Sequence, residues 1–219
     1  MEKTILNENQ IKLLEAISLD KQICDYFYLT GGTALAEFFL HHRLSEDLDF
    51  FSETEFNAQA INVFFAKNKK QLKIKKIDYQ QSFNRNLFFI DFGNEIVKTE
   101  FTFFPFPRIE KKVKKGELFI DSVIDIAVNK IFTIYQKPRA RDFIDLYFIN
   151  KEFGFKIQNL VKKAKVKFDF HIDYLQLGSQ FNLAQQVKDY PKMIVDINHK
   201  DWQNYFISQS KEFKNKFLK

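Results

Sequence analysis

The feature that most constrains the fold is an acidic strand that follows a glycine pair and a helix. Residues 29–51 read LTGGTALAEFFLHHRLSEDLDFF. Because side chains alternate across a strand, Asp47 and Asp49 are expected to project from one face while Leu48 and Phe50 enter the core. The Cα atoms of two such residues lie roughly 6.5 to 7 Å apart. The segment therefore predicts a sheet with one buried face and one face that carries two carboxylates.

Two carboxylates at this spacing predict a metal site. They can bridge two Mg²⁺ ions, whose separation in phosphoryl-transfer sites is about 3.5 to 4 Å. Gly31 and Gly32 would let backbone amides and the N-terminus of the following helix approach a phosphate chain. A lone acidic pair is common on protein surfaces, but a glycine pair, a helix and then DLDFF form a much more specific pattern. The segment indicates metal-assisted chemistry on a nucleotide.

A third carboxylate is expected on a neighbouring strand, and Glu100 is the candidate. In the segment IVKTEFTFF, Val97 and Phe101 share one face, whereas Lys98 and Glu100 share the other. The alternative is that Glu100 is an exposed strand residue that pairs with Lys98. Asp91 is the reserve candidate, but its position beside a turn is more typical of turn chemistry.

The hydrophobic pattern predicts an α+β fold with a mixed sheet flanked by helices and a helical C-terminal half. Helices are expected over 8–17, 33–42, 57–67, 121–134, 140–150, 155–165 and 202–213, and strands over 26–30, 47–51, 72–79, 86–92 and 95–104. Two regions follow from this order: a catalytic core over 1–115 and a helical region over 116–219 that completes the active-site cleft. The lysine-rich stretch 111–117 is expected to be an exposed loop at their boundary.

Composition narrows the class of protein. The chain carries 34 Lys and Arg against 28 Asp and Glu, a net charge of +6. A solvated surface explains most of this excess, and the functional alternative is a polyanionic substrate such as a nucleotide with RNA. The single cysteine, Cys24, excludes an intrachain disulfide or a cysteine-cluster metal site. No apolar run reaches transmembrane length and the first residues form an amphipathic pattern, so we expect a cytoplasmic protein without a membrane partner.

A second informative block spans residues 121–150, DSVIDIAVNKIFTIYQKPRARDFIDLYFIN. Lys130 sits among apolar neighbours in the middle of a predicted helix, where a lysine either extends its amine to solvent or meets an anion. RARDFIDL then brings Arg141, Asp142 and Asp145 within two helical turns. On pattern alone, a helical charge lattice with Asp145 pairing Arg141 is as good an interpretation as a functional one.

The two blocks together carry a resemblance to a known family. GGTALAEFFLHHRLSEDLDFF resembles the first motif of the AbiEii-type nucleotidyltransferase toxins, including Arg43, Ser45 and the aspartate pair. These toxins are the abortive-infection, type IV toxin–antitoxin branch of the DNA polymerase β-like nucleotidyltransferase superfamily. NKIFTIYQKPRARDFIDLYFI resembles the later lysine and RDxxDL motifs. The match spans residues 27–150, and it implies a nucleotidyltransferase-like sheet.

The resemblance implies roles for particular residues. Asp47 and Asp49 would ligate catalytic Mg²⁺, with Mn²⁺ as a substitute, and the strand pattern adds Glu100 as a third ligand. Lys130 would contact the nucleotide phosphates and take part in catalysis, together with Asp142 as the later acidic residue. The full nucleotide-binding set is Gly31, Gly32, Thr33, Arg43, Ser45 and Lys130. From its position between helix and strand, Arg43 either pins the loop or meets the γ-phosphate.

The function implied is transfer of NMP from an NTP to an RNA acceptor. Members of the family transfer nucleotides, in several cases to tRNA 3′ ends, which blocks translation, and an antitoxin protein with a DNA-binding winged-helix region often accompanies them. We therefore expect a Mg²⁺-dependent toxin that acts on tRNA. The alternatives are a protein side chain or a small molecule such as an aminoglycoside as acceptor, or a non-catalytic nucleotide- or RNA-binding module. The basic pI favours RNA, and the intact Asp47, Asp49 and Lys130 argue against a module that only binds.

Overall fold

The computed structural model describes residues 4–217, with the side chains of 4–214. The contacts between Cα atoms divide the chain into two compact units. The first comprises the residues up to Phe38, Ser45–Pro107 and Lys111–Ser122. The second comprises Phe39–Leu44, Arg108–Glu110 and the residues from Val123 onward.

The first unit is built on one mixed sheet. Within the described part of the chain, the strands are β1 Tyr28–Thr30, β2 Leu48–Ser52, β3 Lys76–Ser82, β4 Arg85–Asp91, β5 Ile96–Phe103, β6 Val113–Lys115 and β7 Leu118–Ile120. Their order across the sheet is β3-β4-β5-β2-β1-β7-β6. β2 runs parallel to β5 and β1 runs parallel to β7, whereas the other neighbours are antiparallel. The predicted α+β class with a mixed sheet is confirmed.

Four helices accompany the sheet in the described part of the first unit. They are α1 Glu8–Ser18, α2 Lys21–Tyr26, α3 Gly31–Leu35 and α4 Ala58–Asn68, and a π-helical turn, Ala36–Leu40, continues α3. α1 begins with a capping box between Asn7 and Gln10. The sequence analysis does not predict α2, because six residues are too few to show a helical repeat.

The buried face of the sheet is aromatic. Leu48 and Phe50 of β2 are fully buried, as the alternation predicts. The Phe50 ring stacks on Phe101 of β5 at a centroid distance of 5.0 Å, and Phe88 of β4 meets Phe101 edge-on. Because this layer anchors β2, β4 and β5 by one face, their opposite faces are free to carry polar side chains.

The second unit is helical, as predicted for the C-terminal half. Its helices in the described part of the chain are α5 Val123–Gln136, α6 Ala140–Phe153, α7 Ile157–Phe168, α8 Tyr174–Asn182 and α9 His199–Phe217, with a 3₁₀ turn at Leu183–Gln185. Phe143, Phe181 and Phe206 pack with Trp202 at its centre. The sequence analysis predicts no helix at α8, because Gly178 weakens the helical pattern. That glycine lies against Ser210 of α9, where a Cβ would come 3.3 Å from the hydroxyl.

The lysine-rich stretch differs in part from its prediction. It is exposed, as expected, but Val113–Lys115 forms strand β6, and Val113 is the register partner of Ile120 on β7. Alternation of polar and apolar residues is too short here to reveal a strand of three residues. Within residues 4–217, no helix combines the length and the apolar character needed to cross a membrane.

Candidate active site

The carboxylates of the first unit lie on the face of the sheet opposite the aromatic layer. Asp49 belongs to β2, and Asp47 directly precedes that strand. In the parallel pairing of β2 with β5, the register partner of Asp49 is Glu100. Strand neighbours in register share a face. The sequence prediction that a third acidic residue stands on an adjacent strand is therefore met in the geometry, and we name Asp47, Asp49 and Glu100 the carboxylate face.

Glu100 is buried and held by Arg85 of β4. Its side chain accepts hydrogen bonds from Arg85 Nε at 2.6 Å and Nη2 at 2.5 Å, and from the Thr102 hydroxyl at 2.7 Å. The residue is only 5% exposed. Burial raises the pKa of this carboxyl, but the bonds from Arg85 and Thr102 outweigh that effect and hold the pKa below its ordinary value. The alternative of an exposed glutamate is thus wrong, and the pairing with Lys98 that it included is present only as a long ion pair of 4.0 Å.

Lys98 of β5 pairs mainly with Asp47. Its Nζ lies 2.9 Å from Asp47 Oδ2, and 4.0 Å from Glu100 Oε2. Asp91 belongs to turn chemistry, as its position suggests, because its carboxylate accepts the Gly93 amide at 2.6 Å. The carboxylate face is therefore flanked by two cations, Lys98 and Arg85, both on strands next to the acidic residues.

Gly31 allows the backbone to approach Asp49. It is the first residue of α3 and has a φ of +73°, in the left-handed region. A Cβ built on Gly31 would lie 2.8 Å from Asp49 Oδ2. Any side chain here would both strain the backbone and push the carboxylate aside. The predicted glycine requirement therefore rests on close contact with the acidic strand, and Gly32 follows it in the same turn.

Two buried side chains fix the loop that leads to β2. The Thr33 hydroxyl, fully buried, donates to the Asp47 carbonyl. Gln10 Nε2 donates to the carbonyls of Ser45 and Glu46 at 2.9 and 3.0 Å. Thr33 and Ser45 thus lie beside Asp47, and their contact with a nucleotide stays a prediction. Sequence reasoning missed Gln10, whose only signal was its place in a helix-capping pattern.

A charged cluster stands in the second unit; it consists of His42, Arg43, Lys130, Asp142 and Asp145. Lys130 of α5 places its Nζ 2.8 Å from Asp142 Oδ1 and 2.5 Å from Asp145 Oδ2. Of the two interpretations of a lysine among apolar neighbours, the structure therefore shows the one in which it meets anions. Lys130 is 8% exposed.

Asp145 is the centre of this cluster and is fully buried. It accepts from Arg43 Nε at 2.6 Å and Nη2 at 2.8 Å, and lies 2.8 Å from His42 Nε2. Burial raises the pKa of this carboxyl, but Arg43 and then Lys130 outweigh burial and hold the pKa well below its usual value. The interpretation in which Asp145 pairs with Arg141 on the same helix is therefore wrong. Asp145 pairs instead with Arg43, which is 102 residues away in sequence.

Asp142 is likewise held by two cations. Besides Lys130, it accepts from Arg139 Nε at 2.8 Å. Burial raises the pKa of Asp142, but the charges of Lys130 and Arg139 lower it by more than burial raises it. The pKa of Asp142 is therefore below its ordinary value. In this arrangement Arg43 pins its loop through Asp145 and through the Leu44 carbonyl. A contact between Arg43 and the γ-phosphate remains a prediction.

The carboxylate face offers the kind of coordination by which phosphoryl-transfer enzymes bind Mg²⁺. Among the residues that the structure describes, no group of three His, Cys, Asp or Glu side chains is placed to hold a metal ion by itself. Mg²⁺, however, is usually bound by one or two carboxylates, with substrate phosphates and waters completing six ligands. Asp47 and Asp49 supply such a pair. Glu100 retains lone pairs for a ligand while it accepts from Arg85, because each carboxylate oxygen has two.

Comparison with known proteins identifies the class. The family model described as "Nucleotidyl transferase AbiEii toxin, Type IV TA system" matches residues 12–216. The uncharacterized protein aq_aa25 of Aquifex aeolicus is 32% identical over 172 residues, which cover 76% of this chain and 79% of that protein.

Two solved structures share the fold. JHP933 from Helicobacter pylori superposes with a TM-score of 0.62 at 21% identity, over 96% of this chain and 94% of that one. The nucleotidyltransferase toxin MenT4 from Mycobacterium tuberculosis superposes with a TM-score of 0.60 at 13% identity, over 94% and 82%. With the family model covering nearly the whole described chain, this protein belongs to the AbiEii nucleotidyltransferase toxins of type IV toxin–antitoxin systems.

Proposed function

We propose that this nucleotidyltransferase uses Mg²⁺ to transfer NMP from an NTP to an RNA acceptor, with tRNA as the expected substrate. The observation that carries the proposal is the register of β2 with β5, which sets Glu100 beside Asp49 on the face that also carries Asp47. Three carboxylates on one sheet face repel one another and need cations nearby, which Arg85 and Lys98 supply in part. A bimetal carboxylate set is what a transferase of this class needs.

The metal would be held by Asp47 and Asp49, with Glu100 as the third ligand. When bound, Mg²⁺ neutralises the triphosphate and lowers the pKa of the attacking hydroxyl. Mn²⁺ would serve in the same way. The chain's own residues orient these ligands: Thr33 fixes the Asp47 carbonyl, and Arg85 fixes Glu100. Gly31 leaves the space that the Asp49 carboxylate occupies.

The reaction is a displacement at the α-phosphorus. The acceptor hydroxyl oxygen forms a bond to the α-phosphorus, the bond from that phosphorus to the β-bridging oxygen breaks, and pyrophosphate leaves with the electron pair. The hydroxyl proton passes to water. Glu100 is a poor acceptor for it, because a carboxylate whose pKa is held below its ordinary value is a weak base. Catalysis then depends on position and electrostatics.

Other predicted contacts belong to the same proposal. Gly31 and Gly32 would approach the phosphates through their backbone, and Thr33 and Ser45 would line the turn beside Asp47. Lys130 would contact nucleotide phosphate, with Asp142 as a positioning residue that acts through the lysine amine. Arg43 and Asp145 tie the loop that carries Arg43 to α6 within the second unit.

RNA as acceptor and a toxic role are supported by charge and family. The net charge of +6 attracts a polyanion. The family belongs to type IV toxin–antitoxin systems, so a cognate antitoxin protein is the expected partner. Blocking of tRNA 3′ ends would account for toxicity.

A labelling experiment tests the proposal. Purified protein is incubated with Mg²⁺, total tRNA and each α-³²P-labelled NTP in turn, beside Asp49→Asn and the control Asp25→Asn, which changes an exposed aspartate of α2. We expect label in tRNA with the unmodified protein and the control, and none with Asp49→Asn. Label on a protein or small molecule instead of RNA would contradict the choice of acceptor. Transfer that survives Asp49→Asn would contradict the site.

A further inference from the structure

An exposed phenylalanine stands at the tip of the β3–β4 hairpin. Phe83 is 97% exposed and has a φ of +50°. The other non-glycine residues with positive φ in the described chain, His41, Lys73 and Asp169, are polar. A bulky apolar residue in the left-handed region is unfavourable, and full exposure of the ring adds to the cost. Strained positions of this kind concentrate at functional sites.

The residues around Phe83 have the composition of a nucleic-acid surface. Residues 79–86 read YQQSFNRN and include no acidic side chain. They offer aromatic rings for stacking, amides for hydrogen bonds to base edges, and the guanidinium of Arg85. By contrast, a protein-docking edge would be expected to present an apolar row, whereas five of the seven residues of β3 are Lys, Asp, Gln or Ser.

The hairpin continues the row that contains the carboxylates. Gln80 of β3 is the register partner of Leu87, Leu87 is the partner of Glu100, and Glu100 is the partner of Asp49. These four side chains therefore lie in one line across the same face of the sheet. Gln80 is exposed and Leu87 half-buried, so the line is open on the side of β3.

The tip lies at a useful distance from the predicted metal ligands. Strand spacings of about 4.8 Å and a rise of about 3.3 Å per residue place Phe83 roughly 12 to 14 Å from Glu100 and roughly 16 to 17 Å from Asp49. Stacked nucleotides advance by about 3.4 Å each, so these distances correspond to about four or five nucleotides. A strand whose terminal hydroxyl reaches the carboxylates would thus present an earlier base to Phe83.

We infer that the β3–β4 hairpin binds the single-stranded 3′ end of the RNA acceptor, with a base stacked on Phe83 and Gln80 and Arg85 beside the chain. The inference rests on the proposed function, since it takes RNA as the acceptor. It adds the surface on which that acceptor lies and the direction from which it approaches Asp49.

The test measures RNA binding without requiring transfer. A fluorescent single-stranded RNA of about ten nucleotides, and separately total tRNA, are titrated with full-length Asp49→Asn protein carrying Phe83→Asn, Phe83→Trp or neither. Asparagine tolerates the left-handed backbone better than phenylalanine, so Phe83→Asn should not lower the thermal midpoint. Leu19→Asn is the control, because Leu19 is an equally isolated apolar side chain, 82% exposed, outside the hairpin.

Base–aromatic stacking of about 1 to 3 kcal/mol corresponds to a loss of roughly 5- to 150-fold in affinity. We expect Phe83→Asn to show such a loss for both RNAs, and Phe83→Trp and Leu19→Asn to bind like the parent. Binding of Phe83→Asn within twofold of the parent would overturn the inference, as would an equal loss with Leu19→Asn. Failure of the proposed function would look different: the labelling experiment would show no NMP on RNA, whatever the effect of Phe83→Asn on binding.

Discussion

Replacement of Gly31 by alanine should separate activity from stability. The new Cβ would lie 2.8 Å from Asp49 Oδ2, whereas its distances to Asp49 Cβ and Cγ are 3.5 and 3.6 Å. The closest clash is therefore with the movable end of the side chain. Rotation of the carboxylate relieves it, and the backbone of β2 can stay in place.

The stability cost has two parts that can be estimated. Alanine in the left-handed region costs about 1 to 2 kcal/mol. Turning the Asp49 carboxylate away from its preferred rotamer adds about 0.5 to 1.5 kcal/mol. The effect on activity should be larger, because misplacement of a reacting or ligating group by about 1 Å can cost on the order of 100-fold in rate.

Gly116→Ala is the matched control. Gly116 has a φ of +60° in the turn between β6 and β7, and a Cβ there would meet nothing within 4 Å. It carries the same backbone cost without the contact. Urea unfolding gives the free energy of both variants, and α-³²P transfer to tRNA gives kcat. In the Asp49→Ala background there is no carboxylate for the new Cβ to displace, so Gly31→Ala should cost only the backbone part, as Gly116→Ala does. A double-mutant cycle measures this difference directly.

The reasoning would be refuted by a Gly31→Ala protein that transfers NMP at the rate of Gly116→Ala. It would equally be refuted by a cycle with no coupling between Gly31 and Asp49, because the two changes would then act independently.

The remaining predictions concern the buried charges. Asp145→Asn should lower the free energy of unfolding in urea by about 3 to 5 kcal/mol, because Arg43 and its neighbours stay buried with only a neutral partner. The control Asp196→Asn changes an exposed aspartate and should have little effect. Because the folded pKa of Asp145 lies well below its ordinary value of 3.8, its contribution is present above about pH 5 and is lost as the pH falls, so stability curves from pH 6 to 2 should be flatter for Asp145→Asn. A variant as pH-sensitive as the unmodified protein would show that other groups dominate. Arg85→Gln should raise the pKa of Glu100, since burial is then less opposed, and the acid limb of the pH–rate profile should move to higher pH; an unmoved limb would mean that Glu100 does not govern it.

The carboxylate face could be predicted from sequence because strand alternation is local. Around Asp49 and around Glu100, the alternation of apolar and polar residues assigns one face of each strand to the core. Both assignments hold in the structure. Their pairing needed one further assumption, that the two strands are neighbours. The sequence could not show that Arg85, rather than Lys98, would bind Glu100. Lys98 is the nearer cation in sequence, and only the register of β4 on β5 brings Arg85 to Glu100.

The charged cluster was much less predictable. Asp145 and Arg141 are four residues apart on one helix, so local rules favour that pair. The actual partner, Arg43, comes from a loop 102 residues earlier. Hydrophobic periodicity contains no information on such a contact, because both residues look like solvent-exposed charges in their own segments.

The charged cluster and the carboxylate face differ in how firmly the protein's own cations are bound to their carboxylates. In the second unit, Asp145 is enclosed by Arg43 and Lys130, whose charges are permanent parts of the protein, and it lies beside His42. On the carboxylate face, Lys98 reaches Asp47 with a side chain that is partly open to solvent. A surface ion pair of this kind contributes little and is easily exchanged. Under the proposed function, Mg²⁺ with its triphosphate would therefore replace Lys98 on Asp47 at low cost, whereas a cation that approached Asp145 would first have to break a buried network.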